Sequence, residues 1–600
     1  MEQSKKNKKS IILRMLDNAR ANDKSVFVGC AIFTLAALIV PLFSIAMPKV
    51  LIDYLMGPAP ELWGIIRIVA LFFLGGSIFS FLEEWLVYFF YPKITALRID
   101  YVRDQAVKLL TMDYKYMESA KFFEERSMAF ESTSSNNNGI EMIYHKLFQL
   151  PQLLLLILLL SIFIGLASPI ILIAIVVNIA VSSWVSVAIN KYEYSKKEEL
   201  SKHKRRVDYY GKTAKDFTYG KDVRLYDLKE RILDNFKLEI KAYVDVFKLI
   251  KNREFCLGFI SLITLLISDI ATYGILTYLT VKGMPIADFS MYIIATSTLS
   301  QKMTSLSEHI TYIMREKMYV RDLFKFLDED LGETGGERLA LPKECPLEIE
   351  FDHVSFKYPD TDMNIYEDFS LKIPAGQKLA LVGINGAGKT TFVKLLTGLF
   401  TPDSGRILIN GYDISEYKKS ELFKMFGVVY QEINILAYSI AENIACSAEN
   451  IDYDKVDRVL KQVGLYDKVY SLEKGVNTMM LKIIDEEGTV FSGGESQKLA
   501  IARALYKGGN CVIMDEPTAA LDALAEAEIY SEFDTLVEGK TAIYISHRLA
   551  STKFCDMIAL IDGSGLKEYG THDDLMKQGG EYHKMFVIQG KYYQEGGDVA

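Results

Sequence analysis

The sequence predicts two fold classes in one chain, a polytopic α-helical membrane half followed by a soluble α/β half. Three observations carry this. The chain has 600 residues, more than one hydrophobic core organises. Its long uncharged runs lie almost wholly before residue 330, and the longest, Leu147 to Asn190, spans 44 residues. Charge divides at the same place: residues 1–330 carry a net +6 and residues 331–600 a net −15, recovering the total of −9. With 50% hydrophobic residues, 24% charged residues and 39 aperiodic glycines, collagen-like and disordered readings are excluded. The six cysteines (Cys30, Cys256, Cys345, Cys446, Cys511 and Cys555) are scattered without metal-ligand spacing, which excludes a disulfide scaffold and fits a reducing cytosol.

The first span is expected over Val26–Pro48, 23 residues without charge behind a lysine- and arginine-rich segment 1–25. At about 1.5 Å per residue such a run crosses a hydrocarbon core of about 30 Å. It is too long for a signal peptide, so the basic segment is placed in the cytosol. A second span is expected over Leu62–Phe90, interrupted by Arg67, Glu83 and Glu84. Ser168-Pro169 splits the longest run into spans three and four. Phe255–Thr280 and Ile286–Leu306 supply a fifth and a sixth, softened by Asp269 and Asp288. Six spans leave both ends of this half in the cytosol, and the outward connections are short.

The connections Lys93–Lys146 and Lys191–Glu254 are long, charged and helical in rhythm; the second holds 18 Lys or Arg against 12 Asp or Glu. Helices reaching out of the membrane into the cytosol are the physical reading.

The soluble half opens on a period-2 strand pattern, Leu347–Tyr358. A second strand, Lys378–Val382, leads into Gly383-Ile384-Asn385-Gly386-Ala387-Gly388-Lys389-Thr390-Thr391 and then an apolar helix-like run. Strand, glycine loop, Lys-Thr and helix make a phosphate loop in its required context. Backbone N–H groups at the helix start take phosphate oxygens, Lys389 takes the β/γ charge, and the Thr390 hydroxyl reaches Mg²⁺. A third strand, Cys511–Met514, ends in Asp515 and Glu516. Asp515 suits the Mg²⁺ shell, and Glu516 is the candidate general base for an attacking water.

At this point the chain resembles the ATP-binding cassette (ABC) superfamily over its whole length. The discriminating stretch is Phe491-Ser492-Gly493-Gly494-Glu495-Ser496-Gln497, similar to the family's signature motif. The resemblance implies that Ser492, Gly493 and Gly494 meet the γ-phosphate of ATP held by an opposite subunit. It implies adenine stacking on Tyr358, contact of Gln431 with Mg²⁺ or water, a dimer-reporting role for Asp522, and a γ-phosphate switch at His547. The catalytic set is then Lys389, Gln431, Glu516 and His547. Nucleotide contacts come from Tyr358, Gly383, Asn385, Gly386, Gly388, Lys389, Thr390, Thr391, Gln431, Ser492, Gly493, Gly494 and Asp522. ATP and Mg²⁺ are the cofactors, with Thr390, Gln431 and Asp515 as metal ligands. The chain departs from the family pattern at Phe491, Glu495 and Ala519, and the acidic segment Thr478–Gly488 is longer than usual.

Six spans before one cassette resembles an exporter half-transporter of the multidrug, lipid or peptide type (type I exporter, type IV fold). The implied divisions are a cytosolic segment 1–25, a membrane domain 26–330, a linker 331–345, a cassette 346–590 and a tail 591–600. Cytosolic coupling helices are implied near 113–126 and 219–228. The expected function is ATP-driven export of an amphiphilic drug, lipid or peptide across a bacterial cytoplasmic membrane by alternating access. The expected partners are a second copy, membrane lipid and a hydrophobic or amphiphilic substrate of cationic or peptide character; no nucleic acid is expected. The alternatives are half of a heterodimeric peptide or bacteriocin-type exporter, and a siderophore or metal importer. Glu83, Glu84, Asp269, Glu308 and Arg315 are the candidate cavity residues, because ionisable groups near spans must face water or each other.

Overall fold

Proline at position 169 decides where the longest apolar run breaks. Without an N–H and with φ preset for a first helical turn, it starts a helix and disfavours helical backbone just before it. In the computed structural model, Ser168 is accordingly extended (φ −158°, ψ 110°) between helices Gly139–Ala167 and Pro169–Ser195. The structure describes residues 10–333, 335–341, 345–517, 537, 539–546, 549–563 and 565–594. The chain divides into two units: residues 1–109 with 124–329, and residues 110–123 with 330–600.

The first unit is helical. Among the described residues, five helices are long and apolar enough to cross a membrane: Ser25–Leu55, Leu62–Thr111, Gly139–Ala167, Pro169–Ser195 and Lys229–Val281. Where a sixth span is expected the chain forms Ile286–Asp328, 43 residues long, which is not apolar enough to join them. Its Asp288 is paired with Lys49 at 2.5 Å, so the charge that softens this run is matched within the unit. Helix Leu62–Thr111 buries none of its most apolar stretch against protein. Phe73, Leu74, Ile78 and Phe81 stand more than 60% exposed, as lipid-facing side chains would.

Two clusters hold the helices together. One joins Ile45, Leu156, Leu160, Ile164, Ile171, Leu276 and Leu299. The other joins Met15 and Ala19 of helix Ile11–Asn22 to Phe33, Leu86, Phe90, Leu97, Ile143 and Leu323. Beside the second cluster Glu141 is fully buried. It accepts from Arg98 Nε at 2.6 Å and Thr95 Oγ1 at 2.7 Å, while Arg98 also donates to the Thr133 carbonyl at 2.8 Å. The turn before this helix needs glycine: Gly139 sits at φ +62°, and a Cβ there would lie 1.9 Å from the Ser132 carbonyl oxygen.

The region of the second expected coupling helix is a 3₁₀ turn, Phe217–Tyr219, followed by the short helix Gly220–Leu225. Phe217 is 97% exposed there.

The second unit is built on two sheets. Strands β1 (Ile349–Lys357), β2 (Asn364–Ile373), β4 (Ser404–Ile409) and β5 (Tyr412–Asp413) form an antiparallel sheet in the order β2-β1-β4-β5. Strands β3 (Lys378–Val382), β6 (Phe426–Val429), β7 (Cys511–Asp515), β8 (Thr541–Ile545), β9 (Met557–Asp562) and β10 (Gly565–Gly570) form the order β10-β9-β3-β8-β7-β6. Pairing is parallel from β9 through β6, and β10 closes the edge antiparallel. A parallel sheet is buried on both faces, which is why β3, β7 and β8 read as nearly unbroken apolar runs. One core packs Phe351, Phe369, Phe392 and Tyr417 between the sheets, and a second gathers Val459, Leu460, Phe491, Leu499 and Ile501 around the helical part.

Residues 110–123 belong to this unit. Asp113 donates its N–H to the Leu331 carbonyl at 2.8 Å and opens a 3₁₀ turn, Tyr114–Glu118. Tyr114 then packs edge-on against Phe400 at 5.7 Å between ring centres. Helix Ala120–Glu131 follows, so the region 113–126 is a turn and a helix start rather than one helix.

Candidate nucleotide site

The phosphate loop leaves β3 at Val382 and ends at Gly388, the residue capping helix Lys389–Leu396. Gly386 and Gly388 hold φ of +83° and +96°, backbone that favours glycine and turns successive N–H groups into the loop. Gly383 is required for another reason. A Cβ there would lie 2.3 Å from the Ile561 carbonyl oxygen of neighbouring β9. Gly383→Ala is therefore expected to cost about 1–3 kcal/mol of stability through overpacking. It should also weaken nucleotide binding, which thermal unfolding and titration of the purified variant would show together.

Lys389 is buried and donates from Nζ to the carbonyls of Gly383 (2.8 Å) and Ile384 (3.1 Å). The loop is thus closed around its own ammonium. Asn385 and Gly386 are exposed at the rim. The Thr390 hydroxyl donates to Asp515 Oδ2 at 3.0 Å, joining the loop to the end of β7. Burial pushes the Lys389 ammonium down from its ordinary value and the Asp515 carboxyl up. An anion beside the first and a cation beside the second would relieve both penalties. The hard oxygen pair of Thr390 and Asp515 suits Mg²⁺.

Glu516 follows with φ +52°, an unusual conformation for a non-glycine residue and one that costs energy. Three bonds over-determine it. Its N–H donates to the Ile545 carbonyl at 3.0 Å, its own carbonyl accepts from Gln497 Nε2 at 3.0 Å, and its Oε2 accepts from Gln431 Nε2 at 2.9 Å. Lys389, Thr390, Gln431, Asp515 and Glu516 are therefore brought together at the C-terminal ends of β3, β6 and β7, where ligands bind in open α/β sheets.

Tyr358 donates to or accepts from Thr391 Oγ1 at 2.9 Å and packs against Phe356 and Phe400. Thr391 is buried, and its hydroxyl is engaged with the Tyr358 hydroxyl.

Ser492 and Gly493 are exposed at the start of helix Gly493–Lys507. Glu495 closes a reciprocal capping box. Its N–H donates to Ser492 Oγ at 3.3 Å, and its Oε2 accepts the Ser492 N–H at 2.8 Å. The Ser492 N–H holds the Glu495 carboxyl below its ordinary value, with Lys468 3.5 Å away. Phe491 fills an apolar slot in the second core, 7% exposed. Among the described residues no hydrogen bond joins Ser492, Gly493 or Gly494 to the phosphate loop. The long segment before the signature is pinned at its base, Leu481 N–H to the Thr489 carbonyl at 2.7 Å, and leaves Ile483 and Ile484 78% and 73% exposed.

His547, Asp522 and Ala519 lie outside the described residues. Of the candidate cavity residues, Glu84 and Asp269 are exposed on their helices and Arg315 pairs with Glu316 at 3.2 Å. Two site partners escape motif reading. Gln497 is visible only as one letter of the signature stretch and reaches the site through the Glu516 carbonyl; Lys394 has no motif at all and pairs through its side chain with Glu118.

The comparisons agree with this geometry. Residues 366–519 match the family described as ABC transporter. An ATP-dependent lipid A-core flippase of Cupriavidus pinatubonensis (strain JMP 134 / LMG 1197) is 33% identical over 308 residues, 51% of this chain and 51% of the relative. The protein of that same description in Escherichia coli (strain K12) is 32% identical over 292 residues, 48% of this chain and 49% of the relative. The chain thus spans about half the length of the curated relatives it matches. A solved structure described as a bacterial Atm1-family ABC exporter with ATP bound superimposes with a TM-score of 0.80. It is 22% identical, with 94% of this chain and 99% of that one covered, and it shows the fold alone. Its phosphate loop, paired carboxylates and signature helix are assembled on this fold, and within it residues 366–519 are similar to the ABC transporter family.

Proposed function

We propose that the chain is half of an ATP-driven exporter, moving an amphiphilic substrate across the cytoplasmic membrane by alternating access as a dimer with a second copy. One observation carries the reading. The residues for holding a triphosphate and activating water converge in a single site, in a chain whose other unit is a bundle of membrane-length helices. Ile286–Asp328 serves as the sixth crossing, its Asp288 neutralised by Lys49.

In this reading Lys389 exchanges its loop carbonyls for phosphate oxygens, and Gly383–Gly388 offer their N–H groups. Thr390, Asp515 and Gln431 hold Mg²⁺, which neutralises charge developing on the phosphates. Glu516 takes the proton from the attacking water, and Gln431 positions its carboxylate. Ser492–Gly494 stand apart from the phosphate loop of their own chain, so the Ser492 hydroxyl and the Gly493 and Gly494 N–H groups complete the site of the partner copy. Closure around ATP and release after hydrolysis then drive the membrane helices between two states. The flippase description of the relatives favours a lipid-like amphiphile as substrate.

The test is transport by the purified protein in proteoliposomes, with fluorescent lipids and cationic amphiphiles supplied on the cassette side. ATP-dependent outward movement that disappears in Glu516→Gln supports the proposal. Inward transport, or transport unchanged in that variant, overturns it.

A further inference from the structure

Lys394 lies one turn beyond the phosphate loop, on helix Lys389–Leu396, and no motif accounts for it. Its ammonium sits within 6 Å of three ring centres, Tyr358 (5.4 Å), Phe400 (5.8 Å) and Tyr114 (5.9 Å). It donates to Glu118 Oε1 at 2.6 Å, and that same oxygen accepts from the Tyr114 hydroxyl at 3.0 Å. The pair is partly sheltered, with 18% and 28% of the two side chains exposed. Glu118 and Tyr114 belong to residues 110–123, the stretch between the second and third membrane-length helices that folds into the cassette unit. Beside them is a cleft of about 560 Å³ lined by Lys115, Phe356, Tyr358, Pro359, Phe400 and Pro402.

Tyr358 is therefore held from two sides. Its hydroxyl is bonded to Thr391 in the first turn of the phosphate-loop helix, and its ring faces a cation whose counter-ion comes from residues 110–123. A flat π-system stacking on Tyr358 would enter a cleft to which that segment also contributes Lys115. We propose that Glu118 and Lys394 form a charge clasp that positions Tyr358 for a nucleobase, so that base binding and the seating of residues 110–123 on the cassette are energetically linked. The proposal deepens the reading of Tyr358 as the adenine platform and rests on it. Linkage is reciprocal: whatever the clasp adds to base affinity, a bound base adds to the seating of the segment. The triphosphate lies outside this linkage, since Lys389 and the loop N–H groups hold it independently.

The experiment compares ATP with inorganic tripolyphosphate, which carries the charge without the base, by titration calorimetry on the full-length protein in lipid nanodiscs. Glu118→Gln is expected to weaken ATP binding by about fivefold, a modest coupling because both side chains keep some solvent. Tripolyphosphate affinity should stay within about twofold in the same variant. The charge swap Glu118→Lys with Lys394→Glu should return ATP affinity toward wild type. Tyr114→Phe, which removes one bond to Glu118 and keeps the ring, should shift ATP affinity in the same direction by less, and stands in if the swap does not fold. Equal losses for both ligands would mean a general disturbance of the loop and overturn the clasp, as would unchanged ATP affinity in Glu118→Gln. Wild-type protein that binds neither ligand, or binds both alike, would instead overturn the underlying nucleotide and adenine-platform reading.

Discussion

Glu516→Gln should abolish steady-state ATP hydrolysis, by about 10²- to 10⁴-fold, while leaving ATP binding intact. The amide matches the carboxylate in shape and still offers an oxygen to Gln431, so the loop after β7 keeps its bonds to Ile545 and Gln497. What it loses is the capacity to take a proton from water. Lys389, Thr390 and Asp515, proposed above to hold the triphosphate and its metal, are untouched. Phosphate release against ATP concentration, with nucleotide binding measured in parallel, separates the two effects. Retention of more than about a tenth of wild-type turnover would remove Glu516 from the role of general base.

The second large effect lies far from the nucleotide. Glu141→Ala is expected to destabilise the membrane unit by about 3–5 kcal/mol, because it strands the Arg98 guanidinium in a site from which water is largely excluded. Arg98 is 12% exposed and Glu141 fully buried, and Thr133 and Asn136 satisfy only part of the arginine's donors. The double variant Arg98→Met, Glu141→Leu should be less damaging than Glu141→Ala alone, since it removes both charges and fills the volume. Thermal unfolding of the three proteins in detergent tests this directly. A single variant with an unchanged midpoint would mean that the pair is solvated and contributes little.

Much of the fold was legible because its causes are local. Hydrocarbon length sets the period of the apolar runs, Pro169 sets the break between two of them, and a parallel sheet buried on both faces makes β3, β7 and β8 continuous in apolar character. The phosphate loop was legible for a similar reason. Its glycines answer to backbone geometry within nine residues of chain, so spacing alone reports them. The sixth expected span was less clear. Asp288 lowers the apolar character of that run, and the matching charge, Lys49, is more than 200 residues away.

The departures at Phe491 and Glu495 also needed coordinates. Composition presents one as a volume change and the other as an added charge. Packing shows Phe491 absorbed into the second core and Glu495 capping its own helix, so that Ser492 is held in place by the residue that departs from the family pattern.

By itself the sequence determined that this chain pairs membrane-length helices with a phosphate-binding α/β unit, because hydrophobic length and glycine-loop geometry are properties of contiguous residues. Only the tertiary structure decided that Gln431 and Gln497 converge on Glu516, that Arg98 answers Glu141, and that Glu118 reaches Lys394 beneath Tyr358. The physical reason is range. A hydrogen bond or ion pair acts over about 3 Å, and between residues 85 or 276 positions apart only the fold determines whether that distance is met.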